Sequence, residues 1–431
     1  MLRDRLRAFF AVAVLWFAAA GQVVAQTTPT VPPGLDDVFF DDSVLHEIRL
    51  TINSKDWQSL KIHYLDNTYY PCDFRWLGQV VRNIGIRSRG TGSRSGIKPG
   101  LRIDFNRYVT DGQFLGLKSF ILRNNTQDPS SMHERISMLF FRRMGLPGLR
   151  EAHTKLYVNN AYAGLYTIVE SVDKTFLKRV YNEDDGYLYK YDYNADDKLF
   201  YLEYRGSDPD LYVPLPFRPE THESDPRPEK IAELIRIINQ DSEAVFRKTI
   251  EEYLNLEKFI KHIAVEMFLG DNDGFNGNWG TNNFYFYRFE NKNLFTFIPW
   301  DKSNTFMDGP EYPIWHNIYD LPEANRNRLT IRALGYDDLK NLFLDTLLEG
   351  AKSLSAIVDS PVPATPSADT RGWMEREVEK EYDQIRDSVT TDPEKPYTNA
   401  DFEKEVENLR NFARQRSDFV KNEVAKTRGL Q

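Results

Sequence analysis

From Val44 onward the chain alternates apolar and polar residues: His46 to Ile52, Cys72 to Leu77, Val80 to Ser88 and Leu101 to Phe105 each place every second side chain on one apolar face, which predicts half-buried strands. Over Ser130 to Met144 the period lengthens to that of a helix, with Ile136, Leu139, Phe140 and Met144 on one face and Gly145 as its stop. Two further strands, Thr154 to Val158 and Gly164 to Glu170, are joined by a turn at Asn159-Asn160. The stretch from Arg205 to Pro228 carries six prolines and mixed charge and reads as a long loop. Two helices follow it, one with Ile231, Leu234, Ile235 and Ile238 and one with Phe259, Ile260, Ile263, Met267 and Phe268 at helical spacing; both faces read as core. Phe284 to Phe289 and Leu294 to Pro299 then form a predicted hairpin turning at Asn291-Lys292-Asn293. After a proline-rich break at Ser360 to Thr370, a charged helix from Asp401 to Lys426 carries a stripe of Phe402, Val406, Leu409, Phe412, Phe419 and Val420 that should pack back on the preceding part.

Strands around one inserted helix, followed by a mainly helical half, make an α+β chain in two lobes. The expected organisation is a strand-rich lobe at residues 44–170, a second lobe at 171–350, and a linker with a C-terminal helical extension at 351–431. No internal repeat interrupts this order.

The N-terminus changes the expected compartment. Arg3, Arg5 and Arg7 precede an apolar run from Ala8 to Ala20, and Val23-Val24-Ala25 supplies small residues for cleavage, so residues 1–25 read as a secretory signal and 26–43 as a leader. The apolar run falls short of the roughly 20 residues that span a bilayer, and no stable membrane span is expected elsewhere. The expected destination is outside the cytoplasm: secreted, periplasmic or at the cell surface. A formal charge of −9 argues against a broad nucleic-acid surface. Cys72 is the single cysteine, which excludes an intramolecular disulfide and a thiolate metal cluster, while 41% hydrophobic and 13% aromatic residues suffice for a sizeable core.

Candidate chemistry concentrates in Gly270-Asp271-Asn272-Asp273-Gly274-Phe275-Asn276, in Thr281-Asn282-Asn283, and in Ile298-Pro299-Trp300-Asp301. Carboxylates and carboxamides gathered around two short strands are the hard oxygen donors of a metal-assisted phosphoryl-transfer site. A second candidate is the run from Arg87 to Lys98, with Gly90, Gly92 and Gly96 between two predicted strands. It lacks the Gly-Lys-Ser/Thr of a Walker loop and the strand-to-helix setting of a Rossmann turn.

These segments, with Val81-Arg-Asn-Ile-Gly-Ile-Arg-Ser-Arg-Gly90, Lys98-Pro-Gly-Leu-Arg102, Asn159-Asn-Ala-Tyr-Ala-Gly-Leu-Tyr166 and Glu170-Ser-Val-Asp-Lys174, resemble the CotH family, the spore-coat-protein-H-like atypical protein kinases. The resemblance runs from about Leu45 to Met307, with the motifs in the family's order. It implies a two-lobed, atypical protein-kinase-like fold and transfer of the ATP γ-phosphoryl group, with Mg²⁺ or Mn²⁺, to Ser or Thr of an exported protein or of the chain itself.

By that resemblance the glycine-rich hairpin would cover phosphates, with Arg87, Arg89 and Arg94 supplying positive charge and Lys98 pairing with the nucleotide. Glu134 would orient Lys98, although an acid in a helix's first turn equally complements the macrodipole. Asn283 and Asp301 would bind the metal. Asp273 would orient or deprotonate the acceptor, as the family's Asn-Asp order suggests, while the spacing Asp271 to Asn276 leaves Asp271 as an alternative base. With no His-Arg-Asp and no Asp-Phe-Gly in these segments, any kinase would be atypical. Phe295 shares a strand face with Phe297 and Asp301 and would lie against adenine, or else pack in the core.

Other chemistries fare less well. Phe275 and Asn276 occupy positions where an EF-hand needs a ligand and glycine, so that reading fails, while an irregular Ca²⁺ loop stays open. The seven histidines form no His-Glu-x-x-His, and Gly-x-Ser-x-Gly is absent from the sequence. A glycosidase carboxylate pair depends on spatial separation that a sequence does not give. Two further readings remain: a non-catalytic surface or matrix binding protein on a kinase-like fold, and phosphoryl or nucleotidyl transfer to a glycan.

Overall fold

A computed structural model describes Gly34 and residues 36–192, 199–357 and 369–430. The expected signal, half of the leader and most of the break at Ser360 to Thr370 lie outside the described residues.

Seven strands close into a barrel: β1 (His46–Ile52), β2 (Tyr70–Trp76), β3 (Gln79–Ser88), β4 (Leu101–Asp104), β5 (Ser119–Arg123), β6 (Glu151–Val158) and β7 (Ala161–Glu170), in the order β1-β2-β3-β4-β5-β7-β6. The one parallel pairing, His46 to Leu50 against Thr154 to Val158, joins β6 back to β1 and closes the ring. Closure removes free sheet edges. The alternation of β1 turns Ile48, Leu50 and Ile52 inward, where Phe74, Phe105, Phe114 and Phe120 fill the barrel. Phe39 joins them from the preceding segment, its ring 4.9 Å from Phe120. Helix α1 (Ser54–Ile62) follows β1, and α2 (His133–Arg143) is inserted between β5 and β6.

The strand-rich part with one inserted helix is a closed barrel, which is not clearly the lobe of the two-lobed kinase-like fold expected. Of the barrel strands, the one missing from the sequence reading was β5. Ser119–Arg123 is buried on both faces, so it shows a continuous apolar run rather than alternation, and it supplies the link between β4 and β7.

Beyond the barrel, α3 (Lys174–Tyr181) leads to β8 (Tyr187–Tyr191) and the short β9 (Phe217–Pro219). These join the predicted hairpin, β10 (Phe284–Arg288) and β11 (Phe295–Pro299), in an antiparallel sheet of order β11-β10-β8-β9. Helices α4 (Pro228–Gln240), α5 (Glu243–Ile250), α6 (Leu256–Leu269), α7 (Arg328–Leu334), α8 (Asp337–Leu354), α9 (Trp373–Thr390) and α10 (Asn399–Thr427) build the helical part. Helix α6 lies at its centre, started by Asn255, whose side chain accepts from the Lys258 N–H, and stopped by Gly270 at φ +64°. Helix α10 opens with a Thr398/Asp401 capping box and packs on α8 and α9, burying Phe402, Val406, Leu409 and Phe412. Its Arg416 is fully buried and donates to the carbonyls of Met267 and Phe268 at 2.6 and 2.8 Å, holding the C-terminal end of α6.

Candidate functional site

The β10–β11 hairpin brings two candidate residues together. Its ladder continues one step past the strands, with the Trp300 N–H donating to the Asn283 carbonyl at 3.1 Å. At that end both chains turn left-handed, Asn283 at φ +56° and Asp301 at φ +49°. Asn and Asp tolerate this conformation better than other residues with a Cβ. Both side chains line one cleft of about 2080 Å³ with Asp273, Asn282 and Asn304.

Asp301 is held by two donors on one oxygen. Arg123 Nη1 donates to Oδ1 at 2.7 Å and the Ser303 hydroxyl at 2.9 Å. Burial opposes its ionisation, but the charges of Arg123 and Arg89 prevail and hold the carboxyl below the ordinary value. Oδ2 of Asp301 and Oδ1 of Asn283 take no hydrogen bond from the described residues.

Asp273 sits in a ring of carboxamides. Asn282 donates to Oδ1 at 2.8 Å, and Asn283 and Asn304 donate to Oδ2 at 2.9 and 3.0 Å. Burial raises its pKa, these bonds opposing only part of the rise. Asp271 is placed differently. It is fully buried, and Lys302 Nζ bridges its Oδ2 at 2.7 Å to Glu266 Oε1 at 2.6 Å. Burial and the neighbouring Glu266 charge raise Asp271, while Lys302 and His262 keep Glu266 low against its own burial. Asp271 is thereby occupied within the protein; its Oδ1 also accepts the Asp273 N–H at 3.2 Å, so it braces the loop from below.

The glycine-rich loop between β3 and β4 lines the same cleft through Arg89 to Arg94, with Gly90 at φ +116°. Arg87 reaches Asn67 Oδ1 at 2.8 Å and lies over Tyr69. Arg89 stacks over Trp300 at 5.4 Å, and burial with the nearby Arg123 lowers its pKa to about 10. Arg94 is spent within the protein, on the carbonyls of Gly90, Tyr64 and Asp66 and on Asn67. Arg and Lys outnumber Asp and Glu along the cleft, the reverse of the whole chain's balance.

Three expected residues lie elsewhere. Lys98 faces away from the cleft, buried, with Nζ 2.6 Å from Asp392 Oδ2 and 2.8 Å from the Leu165 carbonyl. It lies in the loop before β4 rather than on a strand, and Asp392 on the α9–α10 connection claims its charge. Glu134 therefore does not pair with Lys98. It accepts from Arg123 Nη2 at 3.0 Å and from the Lys302 N–H at 3.1 Å, so Arg123 on β5 holds the helix-carboxylate partner expected for the lysine. Phe295 packs between Phe286 and Tyr189 in the core and lines a different cavity. The aromatic beside Asp301 is Trp300, with Tyr285 edge-on at 5.5 Å.

Sequence reasoning missed Arg123, Asn282, Asn304, Trp300 and Lys302 as site residues. Three of them adjoin Asn283 or Asp301, Asn304 lies three residues beyond Asp301, and Arg123 closes the buried run of β5.

Hard oxygens suit Mg²⁺ or Mn²⁺, which keep waters and phosphate oxygens in their shell and need few protein ligands. Asp301 Oδ2 and Asn283 Oδ1 meet that need. Among the described residues, no three His, Cys, Asp or Glu side chains gather to hold a metal by themselves.

The profile of the family described as CotH kinase protein matches residues 86–420. The inner spore coat protein H of Bacillus subtilis (strain 168) is 25% identical over 377 residues, covering 88% of this chain and 97% of that protein. The crystal structure of a Helicobacter pylori proinflammatory kinase, CtkA, aligns with 77% of this chain and 94% of its own at 11% identity and a TM-score of 0.30, a likeness too distant to carry an argument.

Proposed function

Because the chain belongs to the CotH kinase protein family, we propose that it transfers the γ-phosphoryl group of ATP to Ser or Thr hydroxyls of an exported protein or of itself, in the cleft between the barrel and the helical part. The observation that carries this reading is the convergence of Asp273, Asn283 and Asp301 at one end of the β10–β11 hairpin, in a cleft whose other wall is basic and glycine-rich. In this reading the barrel and the helical part act as the two lobes of a kinase-like arrangement.

Asp301 and Asn283 would hold Mg²⁺ or Mn²⁺, which when bound neutralises charge on the β- and γ-phosphates. Arg123 fixes the direction of Asp301 by occupying Oδ1, leaving Oδ2 for the ligand role. Arg89 offers a half-buried guanidinium to phosphate oxygens, and its stacking on Trp300 keeps it oriented. Asp273, fixed by three carboxamides, accepts the hydrogen bond of the acceptor hydroxyl and takes its proton as the oxygen bonds to phosphorus and ADP departs. Its raised pKa, set by burial, makes it a better proton acceptor than an ordinary carboxylate.

Export is part of this reading, and what supports it is the likeness over most of the chain to an inner spore coat protein. Among the described residues, no helix is long and apolar enough to cross a membrane. Binding without turnover is the second reading, favoured by the scatter of the cleft's carboxylates, no three of which gather among the described residues.

The test is to incubate the full chain with γ-labelled ATP and Mg²⁺ or Mn²⁺, beside a chelated control, and to read label and product mass. Metal-dependent label as a phosphoryl group on Ser or Thr supports the proposal, whereas a nucleotidyl mass or label on a glycan redirects it. No label together with no ATP-dependent shift in melting temperature would favour a binding role.

A further inference from the structure

A second cavity, of about 550 Å³, shares no lining residue with the cleft. Its walls come from the end of α2, from α3, from the first turns of α6 and from β11. Phe259, Phe289, Phe295, Phe297 and Leu254 give it an apolar interior. Its charged lining is all of one sign: Arg142, Arg179, Lys258 and Lys261, with no Asp or Glu.

The state of these cations decides what the cavity fits. Arg179 is matched by Glu170, with Nε at 3.0 Å from Oε1. Arg142 donates to the Leu149 carbonyl and feels the charges of Asp42 and Glu151 without a direct ion pair to either. The ammonium groups of Lys258 and Lys261 make no hydrogen bond or ion pair among the described residues. They stand on the first two turns of α6, whose N-terminal end carries positive dipole charge toward Asn255 in the same wall. Ligand pockets typically enclose about 300 to 1000 Å³ and are apolar with a few placed polar groups, and this one conforms.

His262 belongs to the lining and connects it inward. Its ring lies 5.6 Å from that of Phe297, and Nε2 is 3.2 Å from Glu266 Oε1. Glu266 binds Lys302, and Lys302 binds Asp271. A continuous buried polar path thus runs from this cavity to the loop carrying Asp273.

We infer that this cavity is a site for a small amphipathic anion, an apolar body with one carboxylate or phosphate head at Lys258 and Lys261, and that its occupancy is transmitted to residues 271–276 through His262, Glu266 and Lys302. The rings exclude a wholly polar anion, and the unbroken positive lining excludes an amphipathic cation. Neither part requires Asp273 to be catalytic, so failure of the phosphoryl-transfer reading would leave it standing.

The experiment uses decanoate and decyl phosphate as probes on the full chain, with decanol and decylamine as neutral and cationic controls. Calorimetry reads binding and hydrogen exchange reads location. The expected result is saturable one-site binding of at least one anion, about tenfold or more tighter than either control, with protection at residues 254–262 and 294–297 and altered exchange at 271–276. Lys258→Glu combined with Lys261→Glu changes exposed and half-buried positions, so it should leave the melting temperature in place while lowering anion affinity by about tenfold or more. Equal binding of all four probes, or undiminished anion binding in the double variant, would overturn the site. Binding with no change at 271–276 would overturn the transmission. The preferred head group identifies whether carboxylate or phosphate is the natural chemistry.

Discussion

Arg123 Nη1 donates to Asp301 Oδ1 at 2.7 Å while its Nη2 donates to Glu134 Oε1 at 3.0 Å, so one buried guanidinium ties the barrel and α2 to the turn after β11. A forked donor does what an ammonium would do less well, because each arm has its own direction. Arg123→Lys should keep a charge near both carboxylates yet lose the paired geometry. Nucleotide affinity in the presence of Mg²⁺ should fall while the protein stays folded. Arg123→Leu should cost about 3–5 kcal/mol of stability, since it leaves buried carboxylates without their cation. Chemical denaturation and nucleotide titration of the two variants separate these effects.

Lys98 and Asp392 form a buried pair remote from the cleft. Lys98→Met should destabilise by about 3–5 kcal/mol because the buried Asp392 charge loses its cation, and adding Asp392→Asn, which removes that charge and keeps an acceptor for the Leu165 or Glu394 N–H, should recover part of the loss. Nucleotide affinity should be unchanged in the folded double variant. A large loss of affinity there would restore Lys98 to the nucleotide site.

The contrast between Lys98 and Arg123 marks what was legible in the sequence. Period-two alternation located β1 to β4, and two apolar runs around a polar turn located the β10–β11 hairpin, although β10 is buried on both faces. Clustered Asn and Asp after a helix stop located the Asp271 to Asp301 segments. Pairing partners at long range left no local trace: nothing near Lys98 announces Asp392, almost three hundred residues away, and nothing near β1 announces its closure against β6. Of the two readings of Phe295, against adenine or in the core, the core holds, because strand period gives the face of a side chain but not which of two cavities that face meets. Asp271 and Asp273 were indistinguishable by spacing; Lys302, which occupies one and not the other, separates them.

Gly274 approaches the buried charge cluster so closely that a Cβ would stand 2.5 Å from Asp271 Oδ2 and 2.9 Å from Glu266 Cδ. Lys302 fixes both carboxylates, so neither swings aside cheaply. Gly274→Ala should cost about 1–3 kcal/mol, as overpacking does, and should slow turnover further by shifting Asp273. Thermal denaturation and rate measurement on the variant check both parts.

Burial raises Glu134 to about 7, more than the Arg123 charge offsets, and Asp301 on the same guanidinium adds to the rise. Between the ordinary 4.5 and about 7 the folded state holds a proton there that the unfolded chain has lost. The contribution of this group to stability is therefore fully present below 4.5 and declines as pH rises toward 7. In Glu134→Gln that decline is absent, so the variant's stability relative to wild type should improve between the two ends of this window. Denaturation midpoints of both proteins across the window test the sign, and a constant difference would refute it.

Cys72 is buried on β2, and burial with the adjacent Asp73 pushes its thiol up to about 12. A thiol kept protonated and covered is inert. The native protein should show no reaction with a thiol reagent at neutral pH, and one equivalent should react after denaturation.

The central claim is that Asp301 and Asn283 hold the divalent ion at the nucleotide in the cleft. Calorimetric titration of ATP with Mn²⁺ into wild type and Asp301→Asn tests it most directly, since Asn keeps the shape and an acceptor for Arg123 but removes the charge. The account predicts metal-dependent binding in wild type and a loss of about 10-fold or more in the variant, in line with the cost of disturbing a metal site, read at a temperature where both proteins are folded. Equal metal-dependent affinity in the two proteins would contradict it.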